Sequence, residues 1–147
     1  MRVFSCDPGS MLFGWAFFDG DNLVASGCEK FKGTYNGKKA KTIYEFLLNK
    51  ISEYLPDRIV CETYFAHNTK GALVIPEVRG LIRLAAAFVN IELEEVGYNT
   101  VQRVVTGKGN SGKEAVKVAV ENMFGIAVEY LDHSDAVGIG YTYIKEN

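Results

Sequence analysis

Hydrophobic positions fall first in short runs and later at helical spacing. Val3-Phe4-Ser5-Cys6 is a brief apolar run that ends on Asp7. Pro8-Gly9 then turns the chain, and Phe13-Gly14-Trp15-Ala16-Phe17-Phe18 forms a second run. Both read as strands bounded by turn residues. Asp19-Gly20-Asp21-Asn22 is a hairpin signal, so Leu23 to Cys28 reads as a third strand, antiparallel to the second. Phe31 to Lys39 reads as a loop. Ile43, Phe46, Leu47, Ile51, Tyr54 and Leu55 recur at helical spacing, and Pro56 stops that helix. Ile59-Val60-Cys61 is apolar on both faces, the pattern of a buried parallel strand, and it runs straight into Glu62.

The second half alternates further. Thr63 to Gly71 is a loop, and Val78, Leu81, Ile82, Ala85 and Val89 mark a helix with Pro76 as its first residue or as a kink. Ile91 to Val96 reads as a fifth strand, and Asn99 with Gln102 as a helix start. After a glycine loop from Gly107 to Gly112, Ser111-x-x-Glu114 reads as a capping box ahead of a stripe of Val116, Ala119, Val120 and Met123. A last helix begins near Asp132, and its Gly138 and Gly140 permit close approach to a neighbour. This order predicts an α/β fold: a five-stranded mixed sheet opened by a hairpin, with strands one, four and five parallel and helices on both faces.

At 147 residues, one domain spanning 1–147 is expected. A hydrophobic content of 48% supports a core without metal or disulfide. No apolar run has the length of a membrane span, and no signal-peptide layout is seen, so a cytoplasmic protein is expected. Cys6, Cys28 and Cys61 include no CxxC pair and read as buried thiols. A net charge of −2 runs against nucleic-acid binding at first sight. The balance changes if four of the eighteen acids are consumed by metal, because sixteen basic residues then outnumber the acids that remain.

The acids that matter lie at element ends. Asp7 closes the first strand and Glu62 the fourth; if these strands are neighbours, two carboxylates sit side by side at one sheet edge, where sites form in open α/β sheets. Like charges so close would raise each other's pKa unless a cation sat between them. Asp132 and Asp135, three apart, share a face of the last helix's first turn. Four carboxylates around one pocket suit Mg²⁺ or Mn²⁺, and two such ions would stabilise both the attacking and the leaving oxygen of a phosphodiester displacement. Duller readings stand beside this one: Asp7 as a turn-former before Pro8, Asp132 as an N-cap, and Asp135 as a partner of the helix dipole.

The whole chain resembles the RuvC family of Holliday junction resolvases, within the RNase H-like superfamily. The resemblance rests on Asp7-Pro8-Gly9-Ser10 after a strand, Glu62 after Ile-Val-Cys, and Asp132-His-Ser-Asp135-Ala opening the last helix. It continues through Glu62-x-x-Phe65 with Asn68, Val78-Arg79-Gly80 before an alanine-rich helix, and Val104 to Gly109 with Lys113. It implies an RNase H-like fold and a homodimer with two active sites that nicks opposed strands of a four-way DNA junction. It also implies that Asp7, Glu62, Asp132 and Asp135 are catalytic metal ligands for two Mg²⁺ ions, with Mn²⁺ as a substitute. His133 is offset from the histidine of some members, which leaves it as a proton carrier or a surface residue. The chain is shorter than typical bacterial members, and Pro76 interrupts the helix that the family uses at its dimer contact. These departures leave open a broader cutting of branched DNA, as in short phage-borne relatives; a competing reading is a module that binds junctions without cutting, against which the intact set of four acids argues.

Phe65, in a loop three residues past Glu62, is a candidate to stack on an unpaired base, or else a core ring beneath that loop. Asn68, Lys70, Arg79, Lys108 and Lys113 are candidate DNA contacts, the lysines with the glycine amides of residues 107–112 gripping phosphates. Gly107 to Lys113 nearly spells a phosphate-binding loop of the nucleotide type. Glu114 stands where Ser or Thr would hold Mg²⁺, and a helix rather than a strand precedes the loop, so no nucleotide cofactor is expected. Lys32, Lys38, Lys39 and Lys41 with Tyr35 form a basic stretch that reads either as an arm contact or as a solvated loop.

Overall fold

The computed structural model describes residues 1–65 and 73–147. Its elements are β1 (Arg2–Asp7), β2 (Leu12–Asp19), β3 (Asn22–Lys30), α1 (Gly37–Tyr54), β4 (Arg58–Glu62), α2 (Val74–Phe88), β5 (Leu93–Val96), α3 (Tyr98–Thr106), α4 (Lys113–Phe124) and α5 (Leu131–Glu146). The strand order is β3-β2-β1-β4-β5. The β1–β2–β3 part is antiparallel, while β1, β4 and β5 run parallel. This is the mixed sheet that the alternation of runs predicts.

Side chains alternate across the sheet, so one strand feeds two cores. Phe4, Cys6, Trp15, Phe17, Ile59 and Cys61 face α1 and α2, where Ile43, Leu47, Ile51, Val78 and Ile82 meet them. Val3, Ala16, Phe18 and Val60 face the other way, onto Val101 of α3, Val116 and Val120 of α4, and Ile139 and Tyr143 of α5. Helix α5 lies against the sheet because Gly140 lets it: a Cβ there would come within 2.5 Å of the Ser5 hydroxyl and 2.7 Å of the Phe18 ring. The buried Ser5 hydroxyl donates to the Ala136 carbonyl at 2.7 Å, which fixes the helix along its length.

The helix starts differ from the sequence expectation in instructive ways. Helix α1 begins at Gly37, well before its apolar stripe, because the Asn36 side chain accepts from the Lys39 amide. Pro76 does not interrupt α2. It sits in the first turn, where a missing N–H costs no helical bond, and the helix runs on to Phe88. The helix start expected at Asn99 falls one residue earlier, at Tyr98, and the capping box predicted at Ser111 does not form. Gly97 and Gly112 hold the cap positions of α3 and α4 with no side-chain cap. The Gln102 side chain instead accepts from the Gly112 amide at 2.6 Å, tying the two helices together across the glycine loop. The Ser111 hydroxyl is buried with no hydrogen-bond partner among the described residues.

Candidate active site

β1 and β4 are adjacent and in parallel register, with Cys6 opposite Cys61. Asp7 and Glu62, one step further along, therefore leave the sheet side by side at its carboxyl edge. On the other flank of β1, Asp7 pairs with Gly14 of β2. Gly14 is where α5 comes down: a Cβ on it would lie 1.8 Å from the Asp132 carbonyl oxygen. The absent side chain thus seats the first turn of α5, with Asp132 and Asp135, beside Asp7. Asp132 lies inside the helix, with Tyr130 at the cap position, so the N-cap reading does not hold.

The four acids form one electrostatic unit. Burial pushes the Asp7 carboxyl well above its ordinary pKa, and the negative charges of Asp135, Asp132 and Glu62 add to the rise, against the opposing pull of Lys113. Glu62 is raised by burial and by Asp135, with Lys113 and Arg79 working against the shift. Asp135 is raised chiefly by its burial, although Lys113 and Tyr98 both bond it. Buried like charges that lift one another in this way are the environment that a cation would relieve.

Asp135 is the most enclosed of the set, with its side chain 1% exposed. The Tyr98 hydroxyl donates to Oδ1 at 3.1 Å and Lys113 Nζ donates to Oδ2 at 2.5 Å. The Lys113 ammonium also lies 4.8 Å from the centre of the Tyr98 ring. Burial lowers the Lys113 pKa and the acids raise it; the acids win, so the group is held charged. Tyr98 escapes notice in the sequence because its partner lies 37 residues on, and no local spacing announces the pair. Lys113 is expected from sequence as a phosphate grip, whereas here its ammonium bonds a carboxylate of the site.

The donor set fits a hard divalent cation in its chemistry: all its donors are carboxylate oxygens around one deeply buried acid. As the side chains stand, no group of three or more His, Cys, Asp or Glu residues among the described residues is gathered closely enough to hold a metal ion. Each Asp135 oxygen accepts one hydrogen bond, which leaves a further lone pair on each for a cation, and the Lys113 ammonium on Oδ2 is a like charge that would compete with it. Lys113 is the partner free to move, since its side chain is 49% exposed.

A pocket of about 250 Å³ opens in front of Asp7 and Glu62 and includes Phe65, Arg79 and Lys113 in its wall. Phe65 is 70% exposed, which removes the core reading. Arg79 is buried and spends its guanidinium internally. It donates to the Glu62 carbonyl at 2.6 Å and to Cys61 Sγ at 3.0 Å, and it forms an ion pair with Glu95 on β5. In place of the expected open DNA contact, it fixes the end of β4 that carries Glu62. Lys108 is exposed in the loop after α3. Asn68 and Lys70 lie outside the described residues. His133 is half-buried, with Nε2 2.8 Å from the Ser26 hydroxyl, so it clamps α5 to β3 and is not a free surface residue; burial lowers its pKa. Cys6 and Cys61 are buried and Cys28 is partly buried, all as free thiols.

Comparison with known proteins now identifies the relatives of this arrangement. The family model of the crossover junction endodeoxyribonuclease RuvC matches residues 3–143. The chain belongs to the RuvC family. A crossover junction endodeoxyribonuclease RuvC of Brachyspira hyodysenteriae is 33% identical over 153 residues, covering 100% of this chain and 96% of the relative. One from Trichlorobacter lovleyi is 31% identical, covering 99% and 85%. Among solved structures, Thermus thermophilus RuvC matches with a TM-score of 0.82 at 20% identity, over 97% of this chain and 92% of that one. The same protein in complex with a Holliday junction substrate gives 0.85. The sheet and helices are therefore those of RuvC, an RNase H-like resolvase fold. No helix among the described residues is long and apolar enough to cross a membrane.

Proposed function

We propose that this chain is a single nuclease domain, residues 1–147, that resolves four-way DNA junctions by paired, metal-dependent hydrolysis of phosphodiesters. The observation that carries the reading is the convergence of Asp7 and Glu62, from adjacent strand ends, with Asp132 and Asp135 from the helix turn seated on Gly14. Family membership supports the reaction class and its dependence on a metal. Water adds to phosphorus, the bond to one bridging oxygen breaks, and that oxygen leaves with a proton. Asp7, Glu62, Asp132 and Asp135 are the residues that would hold Mg²⁺ or Mn²⁺, two ions per site. Such ions supply a nucleophile at neutral pH and neutralise the developing charge. Lys113, released from Asp135, is placed to meet the phosphate that enters the pocket. Phe65 presents an exposed ring at the pocket mouth, where an unpaired base can stack on it. Asn68, Lys70 and Lys108 are proposed backbone contacts, and the protein acts where DNA is, in the cytoplasm of a bacterial or phage-infected cell.

Pairing of the nicks requires two sites, hence a homodimer. An exposed apolar stripe on α2, with Leu84 49% and Phe88 71% exposed, supports that assembly. The test is cleavage of a synthetic four-way junction beside linear duplex, Y-fork and RNA–DNA hybrid, each with Mg²⁺ and with chelator. Symmetric metal-dependent nicks in the junction alone are expected. Cutting of forks as well would widen the substrate to branched DNA in general, and binding without cutting in either metal would overturn the nuclease reading.

A further inference from the structure

A second cavity, of about 360 Å³, opens between the end of β3 and the start of α1. Lys30, Lys32, Lys38 and Lys39 line it with Asn36 and Thr42, and none of its lining residues is an acid. In a chain of net charge −2, Lys32, Lys38 and Lys39 thus line one hollow with no acid in its wall, while the Lys30 ammonium at its edge lies 4.8 Å from the centre of the Tyr130 ring. The hollow is built rather than incidental. Lys39 is only 6% exposed, and its Nζ donates to the Gly33 carbonyl at 2.6 Å, which fixes the loop that forms one wall. An ammonium has three donors, so two remain. Asn36 takes the Lys39 amide. The amides of Gly37 and Lys38 at the head of α1 have no helical acceptor, and the first turn carries no acid to compete for an anion.

The position of the hollow gives it a use. β3 and β1 are both antiparallel to β2, so they point the same way, and Lys30 emerges at the same sheet edge as Asp7. Asp7 is in register with Gly14, and Gly14 with Cys28, two residues before Lys30. With strands ~4.8 Å apart and a rise of ~3.3 Å per residue, the hollow lies roughly 10–15 Å from Asp7. The two loops also touch: the Phe31 amide donates to the Met11 carbonyl at 2.8 Å, joining the lysine loop to the loop that follows Asp7.

We propose that this cavity seats a backbone phosphate of the DNA strand flanking the cleaved linkage, a few nucleotides away from it. The inference rests on the nuclease reading above and adds a binding site to it. Lysine and backbone donors read charge and position rather than base identity, so the seat holds the strand in register without sequence preference. Three lysines, Lys32, Lys38 and Lys39, around a hollow with no acid in its wall also account for how an acidic chain can grip a polyanion.

The test is the salt dependence of junction binding, followed by fluorescence anisotropy between 50 and 200 mM salt in an Asp7→Asn background, so that the DNA stays whole. Lys32→Ala with Lys38→Ala removes two exposed lysines of the hollow. Lys41→Ala, on the same helix but outside the cavity wall, is the control for charge alone. The double variant is expected to lower the steepness of log K against log salt by about 0.9 and to weaken binding roughly five- to tenfold at 0.1 M salt, the share of one phosphate contact. The control is expected to leave the slope unchanged, and thermal melting checks that all the proteins are folded. A double-variant slope no shallower than that of the control would overturn the seat while junction binding itself persists. A parent protein that fails to bind junction DNA at all would overturn the nuclease reading instead. Saturable binding of inorganic phosphate at the cavity, with the DNA slope unmoved, would assign the hollow to a free anion and overturn the DNA proposal.

Discussion

At the scale of single residues, Asp7 is held in a place that disfavours its own charge. Burial and three neighbouring acids raise its pKa, so the stability it contributes is full below the ordinary carboxylate range and is lost as pH rises through the raised folded value. Glu62 and Asp135 shift in the same direction. Asp7→Asn keeps the shape and removes the titration. In chelator at neutral pH the variant is expected to melt several degrees above the parent, where ~1 kcal/mol corresponds to roughly 2–4 °C for a chain of this size. The gap should close as pH falls below the ordinary carboxylate range. The same variant should lose cutting while keeping or tightening junction binding, because a charge near the phosphates is gone. Equal melting at both pH values, or retained cutting, would count against Asp7 as the centre of the site. Phe65 is a simpler case, because its exposed ring makes little demand on the fold. Phe65→Ala is expected to leave melting unchanged and to slow cutting roughly tenfold or more, in line with ~1–3 kcal/mol per stacked base. The check is single-turnover cleavage beside binding, and equal losses in both would assign Phe65 to affinity alone.

At the scale of elements, the site depends on how closely α5 approaches β2. Gly14→Ala would drive a methyl group into the Asp132 carbonyl, with backbone on both sides and no flexible side chain to yield. The first turn of α5 must lift, taking Asp132 and Asp135 away from Asp7. Cutting is expected to fall by at least tenfold and melting to drop, and calorimetric titration with Mn²⁺ should show weaker binding even in protein that remains folded. The sequence made the acids visible because each stands at the end of a strand or the start of a helix, and the hairpin signal and the apolar run of β4 set the strand directions, whereas the adjacency of β1 and β4 is seen only in the folded sheet. It could not show what holds the acids in place. Arg79 reads as a candidate DNA contact ahead of an alanine-rich helix, yet its partners are a carbonyl 17 residues back and Glu95 on the next strand. Tyr98 and Lys113 meet only on Asp135. Local rules also misplaced the capping box at Ser111, where Gly112 takes the cap position and its amide donates to Gln102 across the glycine loop. Contacts between distant segments leave no period in the sequence, so the four acids were legible and their supports were not.

At the scale of the whole molecule, one catalytic pocket accounts for one nick, and resolution of a junction takes two. The helix best suited to bring two copies together is α2, whose inner face carries Val78, Ile82 and Ala85 into the core while Leu84 and Phe88 remain outside. These two are four residues apart and so share one outward stripe, with the Phe88 ring beside Tyr44 of α1 at 6.4 Å. Their burial between two copies would remove large apolar side chains from water on both partners, which is the kind of patch that interfaces use. Leu84→Glu with Phe88→Glu places like charges on that stripe and gives up the Phe88–Tyr44 ring contact, leaving Val78, Ile82 and Ala85 in place. The parent protein is expected to sediment as a dimer at micromolar concentration and the double variant as a folded monomer that melts slightly lower. Cutting by the variant should change in kind as well as in rate. Each pocket remains intact, but paired nicks in one lifetime of the complex should give way to single nicks, read on a supercoiled plasmid bearing a cruciform as nicked circles in place of linear product. A parent that stays monomeric on junction DNA yet still yields linear product would contradict paired action through α2. A variant that stays dimeric would move the contact to another face.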